Sequence, residues 1–370
     1  MEKEPNTSIC FVLSHLPQGG AERQTINLIR MLNGYGYRIT LVLYASTEIF
    51  YREVLDLPIK VLINKSTGTN RLVRNLINGL YLRRVLRQND YDIIHTLLFH
   101  NGFWVRMLAP AKYTGRIVYS IRNDLQDASG FYLFFERLLV RRSFVTTNSL
   151  KVMAQYLNLV GKRYNDRTIN IYNGFDGTKF LSDIGAPITG KVIIGTAGRQ
   201  NTQKNQIQIL EAIKQLHERH PLHFFLIGDM SQDKAVENND YVQAQGLMEV
   251  VTVLDAQPHI ELFYRKFNIF ILSSVYESCP NALFEAMLSK CLCIVSEGAN
   301  SDNFIHDGVN GLVYNGTVEM LVSKLALAIE LIVKDKHQEM IERAQKYALD
   351  NFSIESMAEA YKKLYDNILS

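Results

Sequence analysis

Short apolar runs alternate with longer amphipathic segments along this chain, and the alternation begins twice. Ser8–Leu13 reads as a buried strand. A glycine-containing turn follows, and Ala21–Asn33 carries an apolar stripe at helical spacing through Ile26, Ile29 and Leu32. Gly34 and Gly36 end that helix. Strands are predicted at Arg38–Tyr44, Lys60–Ile63, Asp92–His95, Ile117–Ile121, Phe144–Thr147 and Thr168–Ile171, with helices over Arg71–Arg87, through Val105 and at Phe135–Arg142. Gly177–Gly190 lacks periodicity and reads as a linker. Lys191–Ala197 then restarts the series, with helix Gln206–His217, strand His223–Ile227, helix Ala235–Leu247, strands Val250–Leu254 and Asn268–Leu272, helix Asn281–Leu288 and strand Cys291–Ser296. Three amphipathic helices close it, at Glu319–Val333, Gln338–Leu349 and Ser353–Ile368.

Strands alternating with helices predict α/β architecture with mostly parallel sheets covered on both faces. Residues 1–180 and 191–350 are expected to form two Rossmann-like domains, and 351–370 a C-terminal helix that returns to the first. Open parallel sheets bind ligands beyond the carboxyl ends of their strands, so the cleft between the domains is the expected site.

Composition narrows the function. No apolar run is long enough to cross a bilayer. Met1-Glu2-Lys3-Glu4-Pro5 lacks the parts of a signal peptide, so a cytoplasmic protein is expected. Cys10, Cys279, Cys291 and Cys293 have no zinc-ribbon spacing and read as reduced, mostly buried thiols. The net charge of +3 hides a split. Residues 1–180 hold 24 Lys and Arg against 13 Asp and Glu, a balance of +11, and residues 181–370 hold 16 against 24, a balance of −8. A basic first half suits a membrane surface or a phosphorylated acceptor. Nucleic acid is not expected, because no binding motif joins the basic residues and the other half is acidic. Arg71, Arg74, Arg83, Arg84 and Arg87 share one helical segment, with Leu72, Leu76, Leu80 and Val85 or Leu86 expected to pack beneath. Phe131-Tyr132-Leu133-Phe134-Phe135 precedes Arg137, Arg141 and Arg142. Basic helices with aromatics can lie on anionic lipid, so a peripheral membrane contact is expected there.

Three stretches carry chemistry. Pro17-Gln18-Gly19-Gly20-Ala21-Glu22-Arg23 joins the first strand to the first helix, where glycines allow close backbone approach and a helix N-terminus favours an anion. Two adjacent glycines are not the dinucleotide fingerprint, which argues against a nicotinamide enzyme. Gly198-Arg199-Gln200-Asn201-Thr202-Gln203-Lys204-Asn205 follows the first strand of the second half; Arg199 and Lys204 there suit a diphosphate and the charge on a departing nucleotide. In the third stretch Glu277 follows a strand, Pro280 and Asn281 open a helix, and Glu285 lies one turn inside it among apolar residues. A carboxylate so placed needs a partner, and sugar or ribose hydroxyls are good ones.

Taken in order and spacing, these stretches resemble glycosyltransferase family 4, the retaining GT-B enzymes, over nearly the whole chain. The matches are Gly19-Gly20-Ala21-Glu22, Asn173-Gly174-Phe175-Asp176, Arg199 with Lys204, Glu277 with seven residues before Glu285, and Asp307-Gly308-Val309-Asn310-Gly311-Leu312. The resemblance implies a GT-B fold, two Rossmann-like domains whose parallel sheets face across a cleft. It also implies transfer of a sugar from a nucleotide-diphosphate sugar to a glycan or lipid-linked acceptor in surface polysaccharide or glycolipid synthesis. Arg199 and Lys204 would bind the donor diphosphate and assist its departure, Glu277 would contact the donor sugar, and Glu285 would bind the ribose. Gly19, Gly20 and the backbone of Asn281, Ala282 and Leu283 would approach the sugar and phosphates. No metal or other cofactor is expected, since protein cations and helix dipoles take that role, and retention would run by front-face attack.

Two departures stand out. Many relatives carry a histidine where Ser120-Ile121-Arg122-Asn123 places Arg122, which cannot act as a base but can hold an anion or a hydroxyl, so Arg122 and Asn123 are expected at the acceptor. His95 and His100 are the other histidines near a strand end in this half, and His100 is the better candidate for the chemistry. Ser289-Lys290-Cys291-Leu292-Cys293 stands where relatives often show Gly and Pro, which predicts an altered turn. The competing functions are a nucleotide-sugar epimerase of the same fold and a non-catalytic GT-B binding module. Donor turnover without acceptor marks the first, and the presence of Arg199, Lys204, Glu277 and Glu285 argues against the second.

Overall fold

A computed structural model describes residues 7–16, 20–45, 52–65, 70–181 and 190–370. The chain forms two compact units. Unit 1 comprises residues 1–174 and 354–370, and unit 2 residues 175–353.

Unit 1 carries a seven-stranded sheet of β1 (Ser8–Leu13), β2 (Arg38–Leu43), β3 (Lys60–Ile63), β4 (Ile93–Leu97), β5 (Ile117–Ile121), β6 (Ser143–Thr147) and β7 (Thr168–Asn170). Its order is β3-β2-β1-β4-β5-β6-β7, and each pairing is parallel. The connections hold α1 (Gly20–Gly34), the single turn α2 (Arg52–Leu55), α3 (Arg71–Gln88), α4 (Phe99–Leu108), α5 (Gly130–Leu139) and α6 (Leu150–Val160). Unit 2 opens with α7 (Gly177–Phe180), then β8 (Val192–Ala197), α8 (Ile207–Leu216), β9 (Leu222–Ile227), α9 (Ala235–Ala244), β10 (Val251–Leu254), α10 (Glu261–Tyr264), β11 (Ile269–Leu272), α11 (Asn281–Leu288), β12 (Leu292–Ser296), β13 (Leu312–Tyr314), α12 (Val318–Val333) and α13 (Gln338–Asn351). Its parallel sheet runs β10-β9-β8-β11-β12-β13. The last helix, α14 (Ile354–Leu369), belongs to unit 1. Its Met357, Ala358, Tyr361 and Tyr365 are buried with Phe11, Ile26 and Ile29.

Several elements differ from the pattern. α5 begins at Gly130, so the aromatic run from Phe131 is helical. α6 was not predicted, although Ser149 marks its start by accepting from Val152 N at 3.4 Å. β13, three residues long, was also missed. The larger correction is α3. Leu72, Leu76 and Leu80 do not pack beneath the arginines; they are 77%, 64% and 58% exposed. Asn78, Leu82, Val85 and Leu86 are the buried residues, because the cores beneath α3 meet the opposite side of the helix. The i, i+4 leucine series therefore shares its face with Arg83, Arg84 and Arg87, which are also exposed. Among the described residues no helix is long and apolar enough to cross a membrane.

Candidate functional site

Each sheet reverses its strand order once, between β1 and β4 in unit 1 and between β8 and β11 in unit 2. Such switch points are where open α/β sheets bind ligands, beyond the carboxyl ends of the strands.

At the unit 2 switch point, the loops after β8 and β11 are tied together. Val275 N donates to Gln203 O at 2.8 Å, Gln203 Nε2 to Tyr276 O at 3.0 Å, and Ser273 Oγ to Lys204 O at 2.8 Å. These bonds bring Lys204 to Glu277, 73 residues away in sequence, and Lys204 Nζ pairs with Glu277 Oε1. Ser274 Oγ donates to the same oxygen at 2.6 Å. Gly298 presses on this loop from behind: its carbonyl accepts from Glu277 N at 3.1 Å, and a Cβ there would lie 2.0 Å from Val275 O. The Arg199 loop is fixed by buried Gln200, whose Nε2 donates to Gly228 O at 3.2 Å and whose Oε1 accepts from Asn238 at 3.0 Å. Gly228 permits this, since a Cβ would fall 1.8 Å from Gly198 O. Arg199 is exposed. Hydrogen bonds from Ser231 and Gln232, aided by the charge of Arg199, hold the Asp229 carboxyl below its usual range.

Pro280 precedes α11, so the first-turn amides of Asn281 and Ala282 head a helix directly after this loop. The N–H of Leu283 bonds Pro280 O at 3.1 Å, which narrows what its backbone can offer a ligand. Glu285, half-buried, lies one turn further. Burial and then the Glu285 carboxylate push the Tyr264 phenol well above its usual ionisation range. Two motif matches are architectural. Asn310 Oδ1 accepts from His306 N at 2.7 Å, and Asp307 accepts from Val313 N at 2.8 Å and pairs with Lys324, so that stretch builds the turn into β13. Asn173 accepts from Arg122, and Gly174 N donates to Gln24 Oε1 at 2.9 Å.

Comparison with known proteins identifies the family. Residues 179–347 match the family Glycosyl transferases group 1, and residues 18–179 match Glycosyltransferase Family 4. The chain is a glycosyltransferase of family 4. It is 21% identical to the UDP-Gal:alpha-D-GlcNAc-diphosphoundecaprenol alpha-1,3-galactosyltransferase of Escherichia coli, over 94% of this chain and 93% of that one. Among solved structures it resembles a glycosyltransferase from Rickettsia africae, with a TM-score of 0.84, 19% identity and 99% of both chains covered. It also resembles Anabaena Alr3699/HepE in complex with UDP and glucose, with a TM-score of 0.81, 18% identity, and 98% and 100% covered. The fold is GT-B, two Rossmann-like parallel-sheet domains.

In unit 1 of this glycosyltransferase the expected residues scatter. Gly19 lies outside the described residues; Gly20 opens α1 and is exposed. Arg122 is buried: it donates to Asn173 Oδ1 at 2.6 Å and to Tyr361 Oη at 2.7 Å. The reason is α14, which covers the end of β5 and brings Tyr361 from 239 residues downstream. Asn123 beside it is exposed. His95 is interior, between Tyr365 Oη at 2.7 Å and Ser120 Oγ at 2.8 Å. Burial and the charge of Arg122 push its pKa well below the ordinary value, so it is neutral. His100 is exposed and held through Nδ1 by Tyr132 Oη at 2.7 Å; burial on one side, then His15, lowers its pKa. One Asp-x-Asp triplet, Asp90-Tyr91-Asp92, was missed among the sequence motifs. It sits just before β4, with Asp92 accepting from Ser8 N at 2.8 Å and Asp90 pairing with Lys112. That is the amino edge of the sheet, away from the switch point. The turn after α11 is a full Schellman turn. Cys291 N bonds Ala286 O at 3.0 Å, Lys290 N bonds Met287 O at 3.1 Å, and Lys290 takes φ 58°.

Proposed function

We propose that this enzyme moves a hexosyl group from a nucleotide-diphosphate sugar to a glycan or lipid-linked acceptor, with retention at the anomeric carbon and without a metal. The pathway would be surface polysaccharide or glycolipid synthesis at the cytoplasmic membrane face. The observation that carries the reading is the Lys204–Glu277–Ser274 cluster between the loops after β8 and β11, beside exposed Arg199 and the start of α11. An ammonium has three donors. Glu277 takes one from Lys204, and two serve the oxygens of a donor diphosphate. As the bond from the anomeric carbon to the diphosphate breaks, negative charge grows on the leaving oxygen, and Lys204, Arg199 and the α11 amides stabilise it. Lys204 and Ser274 both bond Oε1 of Glu277, and Oε2 accepts from a hydroxyl of the donor sugar. Glu285 takes the ribose. The acceptor oxygen attacks the face the diphosphate leaves, and its proton passes to the donor phosphate. Retention rests on the family resemblance.

The relatives support the donor class. The HepE structure holds UDP and glucose, and the E. coli relative is named for UDP-Gal and a diphosphoundecaprenol-linked sugar. Support for a membrane contact comes from the exposed face of α3, Leu72, Leu76 and Leu80 leading into Arg83, Arg84 and Arg87, and from exposed Phe131, Phe134 and Leu138 on α5.

Thermal-shift screening against UDP-, GDP- and ADP-sugars, then NMR of the anomeric proton in the product, tests the reading. Stabilisation by one nucleotide class and a retained configuration, undiminished by EDTA, are expected. No stabilisation by any of them overturns the donor assignment, and donor turnover without acceptor identifies an epimerase instead. Failure to sediment with phosphatidylglycerol vesicles at low salt overturns the membrane contact.

A further inference from the structure

The switch point of unit 1 holds a cavity of about 240 Å³, and no family-motif residue is among the described residues that line it. It is smaller than the roughly 300–1,000 Å³ of drug-sized sites, which suits one ring. Its walls come from the ends of β1 and β2, from α3 and from α4. The floor is a fixed polar network. Asn101 Oδ1 accepts from Ser14 N at 3.1 Å and from Tyr44 Oη at 2.9 Å, and Asn64 Nδ2 donates to Tyr44 O at 3.0 Å and to Asn78 Oδ1 at 2.8 Å. Asn78 is 7% exposed and lines the cavity; its oxygen is engaged by Asn64, and its NH2 is the donor it can offer a ligand. Arg74 and Asn75 from the same helix, His15 after β1, and His100 and Trp104 from α4 complete the wall. His15 is held by Ser14 Oγ at 2.8 Å and His100 by Tyr132 at 2.7 Å. No carboxylate is among the described residues that line it.

We infer that this cavity binds one sugar ring of the acceptor that carries a negative charge, a uronate carboxylate or a phosphate. The ring lies against the indole of Trp104, and the charge meets Arg74 and the Asn78 NH2. The inference deepens the reading of the protein as a transferase with a glycan or lipid-linked acceptor, and rests on it. The chemistry follows from the wall. Guanidinium and amide donors, with no acid among the described lining residues, select a ligand rich in acceptors and negatively charged. An aromatic face accommodates the apolar C–H face of a sugar ring. The position is the one open parallel sheets use for ligands.

Trp104 is the only tryptophan of the chain, so its fluorescence reports on the cavity without any transfer reaction. The full chain is titrated at constant ionic strength with methyl glucuronoside, glucose 6-phosphate, methyl glucoside and inorganic phosphate. Saturable change with at least one anionic sugar, at concentrations about tenfold below those needed for methyl glucoside, is expected, and the better of the two names the charged group. Arg74→Gln removes that preference, and its thermal unfolding matches wild type because Arg74 is exposed. Equal response to methyl glucoside, equal response to inorganic phosphate alone, or an unchanged preference in Arg74→Gln overturns the inference. A silent Trp104 in a protein that binds nucleotide-sugar and transfers overturns this inference alone. A responsive Trp104 in a protein that binds no nucleotide-sugar overturns the donor assignment alone.

Discussion

Among the described residues, each unit holds one ion pair with both side chains drawn out of water, and the two differ in what surrounds them. In unit 1, Arg106 and Glu136 have side chains 0% and 1% exposed. The guanidinium lies 4.2 Å from the Tyr119 ring centroid, and Tyr156 Oη donates to Glu136 at 3.0 Å. Every polar partner comes from packed helices, α4 to α5 and α6. In unit 2, Lys204 and Glu277 have side chains 14% and 10% exposed and stand on two loops at the strand ends. The first pair is enclosed by the fold it belongs to. The second opens to solvent at the carboxyl edge of the sheet, where the proposed donor diphosphate would meet its flexible cation. A buried pair is weak evidence for stability, but breaking one leaves an uncompensated charge inside.

Glu136→Ala should have the largest effect, because it strands Arg106 in the core. A loss of about 3–5 kcal/mol is expected in chemical denaturation of the full chain, with Glu136→Gln losing less. Nucleotide-sugar transfer per folded molecule should stay near wild type. Lys204→Ala should do the opposite. Transfer should fall by about 10²–10³-fold, while thermal unfolding stays close to wild type, because Ser274 still donates to Glu277. Rate measurements on both variants under matched conditions decide it. Near-normal transfer by Lys204→Ala, or unfolding as severe as that of Glu136→Ala, would remove the distinction between the two pairs.

A smaller effect separates the units by pH. His95 is neutral in folded unit 1, with its pKa pushed well below 6.5 by burial first and Arg122 second. The unfolded chain binds the proton more readily, so the stability held above about pH 6.5 is lost as pH falls. The slope is about 1.4 kcal/mol per pH unit until the folded group titrates. Groups facing His95 are Ser120 on β5, Tyr361 and Tyr365 on α14, and Arg122 after β5. Denaturation at pH 7, 6 and 5 should show the slope in wild type and a shallower one in His95→Gln. An equal slope in both would assign the acid sensitivity to other groups.

The two units were also unequally legible in the sequence. Periodicity marked most strands and helices, because alternating buried strands and amphipathic helices leave a strong pattern. It misjudged α3, where the apolar residues at i, i+4 spacing face outward and an asparagine faces in. The site residues of unit 2 were readable as chemical types in loops after strands. Their pairing was not, since nothing local in the sequence joins Lys204 to Glu277. Arg122 shows the limit most clearly. The resemblance put it at the acceptor, and nothing near it in the sequence announces its bond to Tyr361, which arrives with the last helix. The cavity beside Trp104 is assembled from four separate segments, none of which carries a motif.

The smallest expected effect tests whether the turn behind the unit 2 site is tuned or merely tolerated. Lys290 stands at the left-handed position of the Schellman turn that ends α11, with φ 58°. A side chain there costs roughly 1–2 kcal/mol relative to glycine. Glycine returns part of that through the greater freedom of its unfolded chain, about 0.4–1 kcal/mol. Lys290→Gly should therefore stabilise unit 2 by about 0.5–1 kcal/mol, a rise of about 1–4 °C in its unfolding temperature. Transfer rates should not change, because the substitution alters neither Glu285 nor the amides at the other end of the helix. A lower unfolding temperature would mean that the Lys290 side chain makes contacts worth more than the backbone strain. A changed transfer rate with raised stability would mean that α11 moves during turnover, and that its C-terminal turn sets how far.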